Sequence, residues 1–236
     1  MSVPFLTNIK HIFFDLDHTL WDFHANSLEA LAELYLMFEL EERAPKFNSD
    51  FFIERYVFHN ERMWAMYRED KISKSRLRKA RFEYALRDMR IEDKSSAKEI
   101  GNAYLEICPR KTKLNDGAIE VLEALKDHYN LHILSNGFHE TQLIKLEQSG
   151  LMPYFQQIIT SEKAAAKKPN RRMFDYAQVH TGAMPKETLM IGDNLEIDVI
   201  GALDYGWDAI HYNTTGIRHE YKSVQTLLEI PGLLFK

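Results

Sequence analysis

The stretch FFDLDHTL sets Asp15, Asp17 and Thr19 directly behind the apolar run Ile12-Phe13-Phe14. Two carboxylates one residue apart at the exit of a strand can both approach one centre if the loop curls back. A single Asp in that place is often only a turn cap, but an apolar run followed by D-x-D-x-T is not accounted for by turn chemistry. LHILSNG brings Ser135 to another strand end, with Asn136 and Gly137 ahead of a helix. A hydroxyl, a flexible backbone and a helix N-terminus make a cradle for phosphate, although S-N-G is also a common turn. Lys168 stands in KKPN, just before a helix starting near Asn170; a lysine ahead of proline is ordinarily solvated, and its weight comes from its company. LMIGDNLEID places Asp193 after a further apolar run and Asp198 about a helical turn later. Gly-Asp-Asn alone fits a turn into an N-cap. As the fourth polar cluster of its kind in one chain, it reads as a metal site.

These clusters need elements that bring them to one place. Short apolar runs at 12–14, 131–134, 158–160, 189–191 and 209–212 suit strands buried on both faces of a parallel sheet. Amphipathic stretches at 117–127, 139–148, 171–180 and 196–204 lie between them, the alternation of βαβ units. In such sheets ligands bind at the carboxyl ends of the strands, where the four clusters fall. From about residue 22 to 108 the rhythm changes to helical spacing, as in Leu28, Leu31, Ala32 and Tyr35, then Phe52, Tyr56, Met63, Trp64 and Tyr67. That pattern predicts an inserted unit of about four helices, with Ser49 and Ser73 as N-caps. The aromatic stripe Phe52, Tyr56 and Tyr67 reads as helix-bundle core. The locally basic stretch 71–90 carries acidic partners Glu83 and Asp88 and reads as a solvated helix face rather than an anion-binding surface.

The bulk numbers bound the answer. A chain of 236 residues allows one large domain or a domain with a substantial insertion, and can bury a core without staples. The net charge of −5 is too mild to point to nucleic acid or an anionic membrane as partner. The single cysteine, Cys108, excludes an intrachain disulfide or a thiolate zinc cluster, and in AYLEICP it reads as a core residue rather than a catalytic thiol. The opening MSVPFLTNIKHIFF lacks the pattern of a secretion leader, no stretch approaches the roughly 18 apolar residues of a membrane span, and the sequon at Asn213 reads as chance. These features together predict a cytoplasmic protein.

Taken together, Asp15-Asp17-Thr19, Ser135, Lys168 and Asp193/Asp198 resemble the signature order of the haloacid dehalogenase-like hydrolase superfamily, in its phosphatase branch. TSEKAAAKKPNRRMF is similar to the family's SE…KP…F pattern and selects Lys168 over Lys167. The resemblance covers nearly the whole chain. It implies an α/β fold, a Rossmann-like parallel sheet core with an inserted all-helical cap, here residues 1–20 plus 109–236 for the core and 21–108 for the cap.

The implied chemistry is hydrolysis of a phosphomonoester with Mg²⁺, a hard cation that suits few carboxylates plus substrate phosphate. Asp15 is then the nucleophile, forming an aspartyl phosphate, and a metal ligand. Asp17 protonates the leaving oxygen and later deprotonates water, with its main-chain carbonyl toward the metal. Asp193 is a direct metal ligand and Asp198 an orienting residue behind it. Lys168, Ser135 and the amide of Asn136 hold the phosphoryl oxygens, while Thr19 is placed among the phosphate contacts or as a tie for the nucleophile loop. A true dehalogenase of the same superfamily typically lacks the second acidic residue, which argues against it here. A sugar phosphomutase shares the intermediate without any residue here that singles it out. A non-catalytic regulatory module would be expected to lose Asp15 or Lys168, and both are present. DHTLWDF, LSNGF, KKPNRRMFDYA and GDNLEIDVIGA are similar to the pyrimidine-nucleotidase branch, which implies a nucleoside monophosphate as the small phosphorylated substrate. His18 departs from the residue usual at its place. Specificity is then expected in the cap, closing over the site, and in Trp21, Asp22 and Phe23, where a ring either stacks on a base or packs the hinge.

Overall fold

The computed structural model describes residue 6 and residues 8–235. Residues 1–5, Thr7 and Lys236, which include part of the opening stretch weighed for a leader, lie outside the described residues. The chain divides into two compact units, one formed by the chain up to Phe23 and from Thr112 onward, the other by His24–Lys111.

The first unit is built on a six-stranded sheet. Its strands are β1 (His11–Phe14), β2 (Asn130–Ser135), β3 (Gln157–Thr160), β4 (Thr188–Gly192), β5 (Asp208–Tyr212) and β6 (Ser223–Val224), in the order β3-β2-β1-β4-β5-β6, every pair parallel. The five predicted runs are all strands; β6 is an addition, two residues at the sheet edge, too short to leave a periodic signal. β1 lies between β2 and β4, with Phe14 level with Ile133 on one side and Ile191 on the other. That central place explains its unbroken apolar run, since both faces are covered. On one face Phe13, Leu134, Ile159, Met190 and Ala209 share a core with Met173, Phe174 and Ala177. The last three come from one face of a helix over Arg171–Thr181.

The second unit is helical: α1 (Phe23–Met37, beginning at the boundary), α2 (Leu40–Arg43), α3 (Ser49–Arg68), α4 (Lys74–Asp88) and α5 (Lys94–Ile107). Ser73 caps α4 as expected, accepting from the Arg76 amide at 3.2 Å. The cap of α3 is Asn48, which accepts from Phe51 at 3.0 Å, and Ser49 is the first helical residue instead. Both types cap well, and backbone conformation decides between neighbours. Phe52, Tyr56 and Tyr67 are buried as the spacing required. Within the basic stretch, Arg76 and Lys79 pair with Glu83 on the surface, but Arg81 is not part of a solvated face. It is buried beside the rings of Tyr56, Phe82 and Tyr104, at 5.0–5.5 Å, and donates to Asn60 Oδ1 at 2.9 Å. The aromatic faces and the amide take the place of water around its charge.

The sheet unit's remaining helices are α6 (Ala118–Leu125), α7 (His139–Gln148), α8 (Ser161–Ala164), α9 (Arg171–Thr181), α10 (Gly201–Tyr205) and α11 (Ile230–Leu234). The helix expected over 196–204 is instead a π-helical run, Leu195–Ile200, leading into α10. Such wide turns often mark functional sites, and this one carries Asp198. Among the described residues no helix is long and apolar enough to cross a membrane.

Candidate active site

Because β1, β2 and β4 are parallel neighbours, Asp15, Ser135 and Asp193 emerge at the same edge. β1 is also the strand from which the order runs both ways, the switch point where open α/β sheets leave a crevice. The Asp15 amide donates to Ile191 O at 2.9 Å and so prolongs the β1–β4 pairing to the carboxylate itself. Beyond it the chain curls back: the amides of Leu20 and Trp21 donate to Leu16 O at 3.0 and 2.9 Å, and that of His18 to Trp21 O at 3.0 Å. His18 takes a left-handed φ of 65°, an uncommon conformation in which His is enriched. Asn115 pins the curl, its Nδ2 donating to the carbonyls of His18 and Thr19, both at 2.9 Å.

Asp15, Asp193 and Asp198 offer carboxylate oxygens that all lie within 4.8 Å of one another. Against them stands Lys168, 1 % exposed, with Nζ at 2.6 Å from Asp15 Oδ1 and 2.7 Å from Asp198 Oδ1. Burial works against its charge, but the two carboxylates outweigh that and raise its pKa. One ammonium does not balance three carboxylates. Burial first, then Asp198 and Asp193, hold the Asp15 carboxyl well above the ordinary range despite Lys168. Burial and Asp198 push Asp193 up to about 7. This excess of buried negative charge is what a hard divalent cation relieves, so the residues fit one. Asp198 is oriented from both ends: Lys168 holds Oδ1, and the Asn194 amide donates to Oδ2 at 3.1 Å. A Cβ on Gly192 would sit 2.3 Å from that Oδ2, which is why the residue before Asp193 has no side chain.

Thr19 is fully buried; its hydroxyl donates to Asp193 Oδ1 at 3.3 Å and accepts from the Asp193 amide at 3.1 Å. With its proton engaged there, the geometry suits a tie between the two loops and does not favour a phosphate contact. The Asn136 side chain grips the backbone of Lys168, accepting from its amide at 2.7 Å and donating to its carbonyl at 3.0 Å. His211, at the end of β5, donates from Nε2 to Asp193 O at 2.8 Å, which leaves Nδ1 to accept from His219 at 2.7 Å.

Asp17 meets two residues that the sequence did not single out. Gln142 Nε2 donates to Asp17 Oδ2 at 2.8 Å and to Ser135 Oγ at 2.7 Å, and Lys145 pairs with Asp17 Oδ1. Burial alone would raise this carboxyl; the Lys145 charge and the hydrogen bonds from Lys145 and Gln142 outweigh it, and its pKa ends below the ordinary value. Gln142 and Lys145 sit three apart on α7, the spacing of one helix face, which is the only signal they leave. Lys145 Nζ also lies 4.3 Å from the Trp21 ring centre. Trp21 is fully buried and acts as packing, while Phe23 is half-buried, 4.8 Å from the His18 ring. Of the two rings proposed for base stacking, only Phe23 retains an accessible face.

Comparison with known proteins finds relatives that span nearly the whole chain. The chain is 32 % identical over 232 residues to pyrimidine 5'-nucleotidase YjjG of Escherichia coli, covering 95 % of this chain and 97 % of that one. It is 33 % identical over 206 residues to pyrimidine 5'-nucleotidase PynA of Streptococcus pneumoniae, covering 86 % and 84 %. The magnesium-bound structure of the hydrolase YfnB from Bacillus subtilis superposes with a TM-score of 0.86 at 26 % identity, over 97 % of this chain and 99 % of that one. The family model for haloacid dehalogenase-like hydrolases matches residues 9–206, and the chain belongs to that family.

Proposed function

We propose that this hydrolase cleaves phosphomonoesters through an aspartyl phosphate on Asp15, with a nucleoside 5'-monophosphate, and a pyrimidine one in particular, as substrate. The observation that carries the reading is Asp15 itself. It is a buried carboxylate at the carboxyl end of the central strand, held by Lys168 at 2.6 Å, inside a cluster of three carboxylates that this one ammonium does not balance. Mg²⁺ would be held by Asp15, Asp193 and the main-chain carbonyl of Asp17, and when bound it supplies the positive charge that keeps the carboxylates ionised and offsets that of the phosphate. Asp198 stays behind them as an orienting residue, since both its oxygens already have partners.

Asp15 attacks phosphorus, the P–O ester bond breaks, and the leaving oxygen takes a proton from Asp17. Water then attacks the phosphoaspartate and gives its proton to Asp17; the P–O bond to Asp15 breaks, releasing inorganic phosphate. The pairing with Lys145 and the lowered pKa of Asp17 favour its ionised form, the one the second step requires; for the first step it has to acquire a proton against the pull of Lys145. Lys168 and Ser135 hold the phosphoryl oxygens, with the amide of Asn136, as charge redistributes between the phosphoryl group and the leaving oxygen. The nucleotide reading rests on the two relatives named pyrimidine 5'-nucleotidases. Phosphate release from a panel of nucleoside monophosphates, sugar phosphates and p-nitrophenyl phosphate, with and without magnesium, tests it. Activity confined to magnesium and highest on UMP, CMP or TMP is expected; equal rates without metal would refute the mechanism, and preference for a sugar phosphate would refute the substrate.

A further inference from the structure

Gln142 is fully buried on α7, and its amide orientation is not a free choice. The Asp17 carboxylate accepts only, so the group facing Oδ2 at 2.8 Å must be the NH₂. The second proton of that NH₂ goes to Ser135 Oγ at 2.7 Å. Ser135 Oγ also accepts from the Gly137 amide at 3.0 Å. Both lone pairs of the hydroxyl are thereby engaged, and its own proton is what it has left to offer an incoming oxygen. The Gln142 carbonyl oxygen, meanwhile, is buried without a hydrogen-bond partner. A buried amide left half satisfied is a cost to the fold, so stability does not explain why Gln is placed here. The chain also makes room for it: a Cβ on Gly137 would lie 2.0 Å from Gln142 Nε2 and 2.5 Å from its Cδ.

We propose that Gln142 is a positioning residue for the reaction, its single NH₂ group fixing the acid/base carboxylate of Asp17 and the phosphate-binding hydroxyl of Ser135 relative to each other. This rests on the roles given to Asp17 and Ser135 above. Leaving-group protonation and phosphoryl binding are then aligned by one side chain, and Gly137 is small because that side chain passes through its Cβ position. Lys145 holds the other oxygen of Asp17 and completes the clamp.

The test compares phenyl phosphate with p-nitrophenyl phosphate, esters of similar shape whose leaving groups differ in their need for a proton. Values of kcat/KM report the steps up to formation of the phosphoaspartate. In Gln142→Leu, which keeps approximate volume and removes the NH₂, kcat/KM on phenyl phosphate is expected to fall at least about tenfold further than on p-nitrophenyl phosphate, part of the 10²–10⁴-fold that acid catalysis supplies. Gly137→Ala, which displaces the Gln142 amide without altering it, is expected to show the same split, and it decides the matter if Gln142→Leu does not fold. Equal losses on the two esters, or none, in a variant with parental circular dichroism would overturn the role of Gln142. A parent enzyme with no magnesium-dependent activity on either ester would instead overturn the phosphatase reading.

Discussion

Asp193→Asn should make the metal-free protein more stable at alkaline pH, although it removes a residue of the active site. Burial and the neighbouring Asp198 push Asp193 up to about 7 in the fold, against about 3.9 for an unfolded aspartate. A group raised in this way favours folding at pH below its unfolded value, and that advantage is lost as pH rises through its folded value. That rise corresponds to about 4 kcal/mol, lost between roughly pH 4 and 7. Asparagine is never ionised and escapes this loss, but it gives up the charge-assisted bond with Thr19, worth about 1 kcal/mol or somewhat more. A net gain of roughly 2–3 kcal/mol at pH 8 raises the melting temperature by about 4–12 °C for a chain of this size. Thermal melts of both proteins in EDTA at pH 5 and pH 8 measure it as a difference, so that groups shifted the other way, Asp17 among them, cancel. Magnesium at a hundredfold excess over the parent's dissociation constant should remove much of the variant's advantage, because the parent gains about 2.7 kcal/mol and the variant gains less. If Asp193→Asn is less stable than the parent at pH 8 in EDTA, the cluster is not held together against its own charge and the case for a cation there fails.

Three further outcomes follow from the same geometry. Asp15→Asn is nearly isosteric and should lower phosphate release by at least about 10⁴-fold while leaving the circular dichroism spectrum unchanged; substantial magnesium-dependent turnover would rule out Asp15 as nucleophile. Lys168→Met leaves three buried carboxylates uncompensated and should cost about 3–5 kcal/mol in the absence of metal, together with a fall of about 10²–10³-fold in kcat; urea unfolding and steady-state rates measure both, and a parental midpoint would show that the ammonium is not what balances the cluster. Phe23→Ala should reduce kcat/KM on UMP by roughly 5–150-fold, the equivalent of about 1–3 kcal/mol of base stacking, with little effect on p-nitrophenyl phosphate; equal losses on both would make Phe23 a packing residue like Trp21.

The residues proposed to carry the chemistry were legible in the sequence: Asp15, Ser135 and Asp193 stand where a short apolar run stops, and Lys168 and Asp198, near predicted helix starts, gain their weight from that company. Asp15, Ser135, Lys168, Asp193 and Asp198 are of the types that bind phosphate and cations, and a parallel sheet places the ends of its strands on one edge whatever their separation along the chain. The strands themselves were equally plain, since burial on both faces demands unbroken apolar runs and leaves no room for another pattern. What the tertiary structure alone decided is which polar groups on the helices turn inward. Gln142 and Lys145 look like the polar side of an ordinary amphipathic helix, and Arg81 like one more cation in a basic stretch; only the docking of α7 beside Asp17, and of Arg81 among three rings, removes them from water. The wide turn that carries Asp198 was invisible for a related reason, since π and α turns share residue preferences and differ in how the chain is drawn over its neighbours. Periodicity records which side of an element is apolar. It does not record the few places where a buried charge is stabilised by a partner on another strand, because that partner is supplied by the fold and not by the neighbouring sequence.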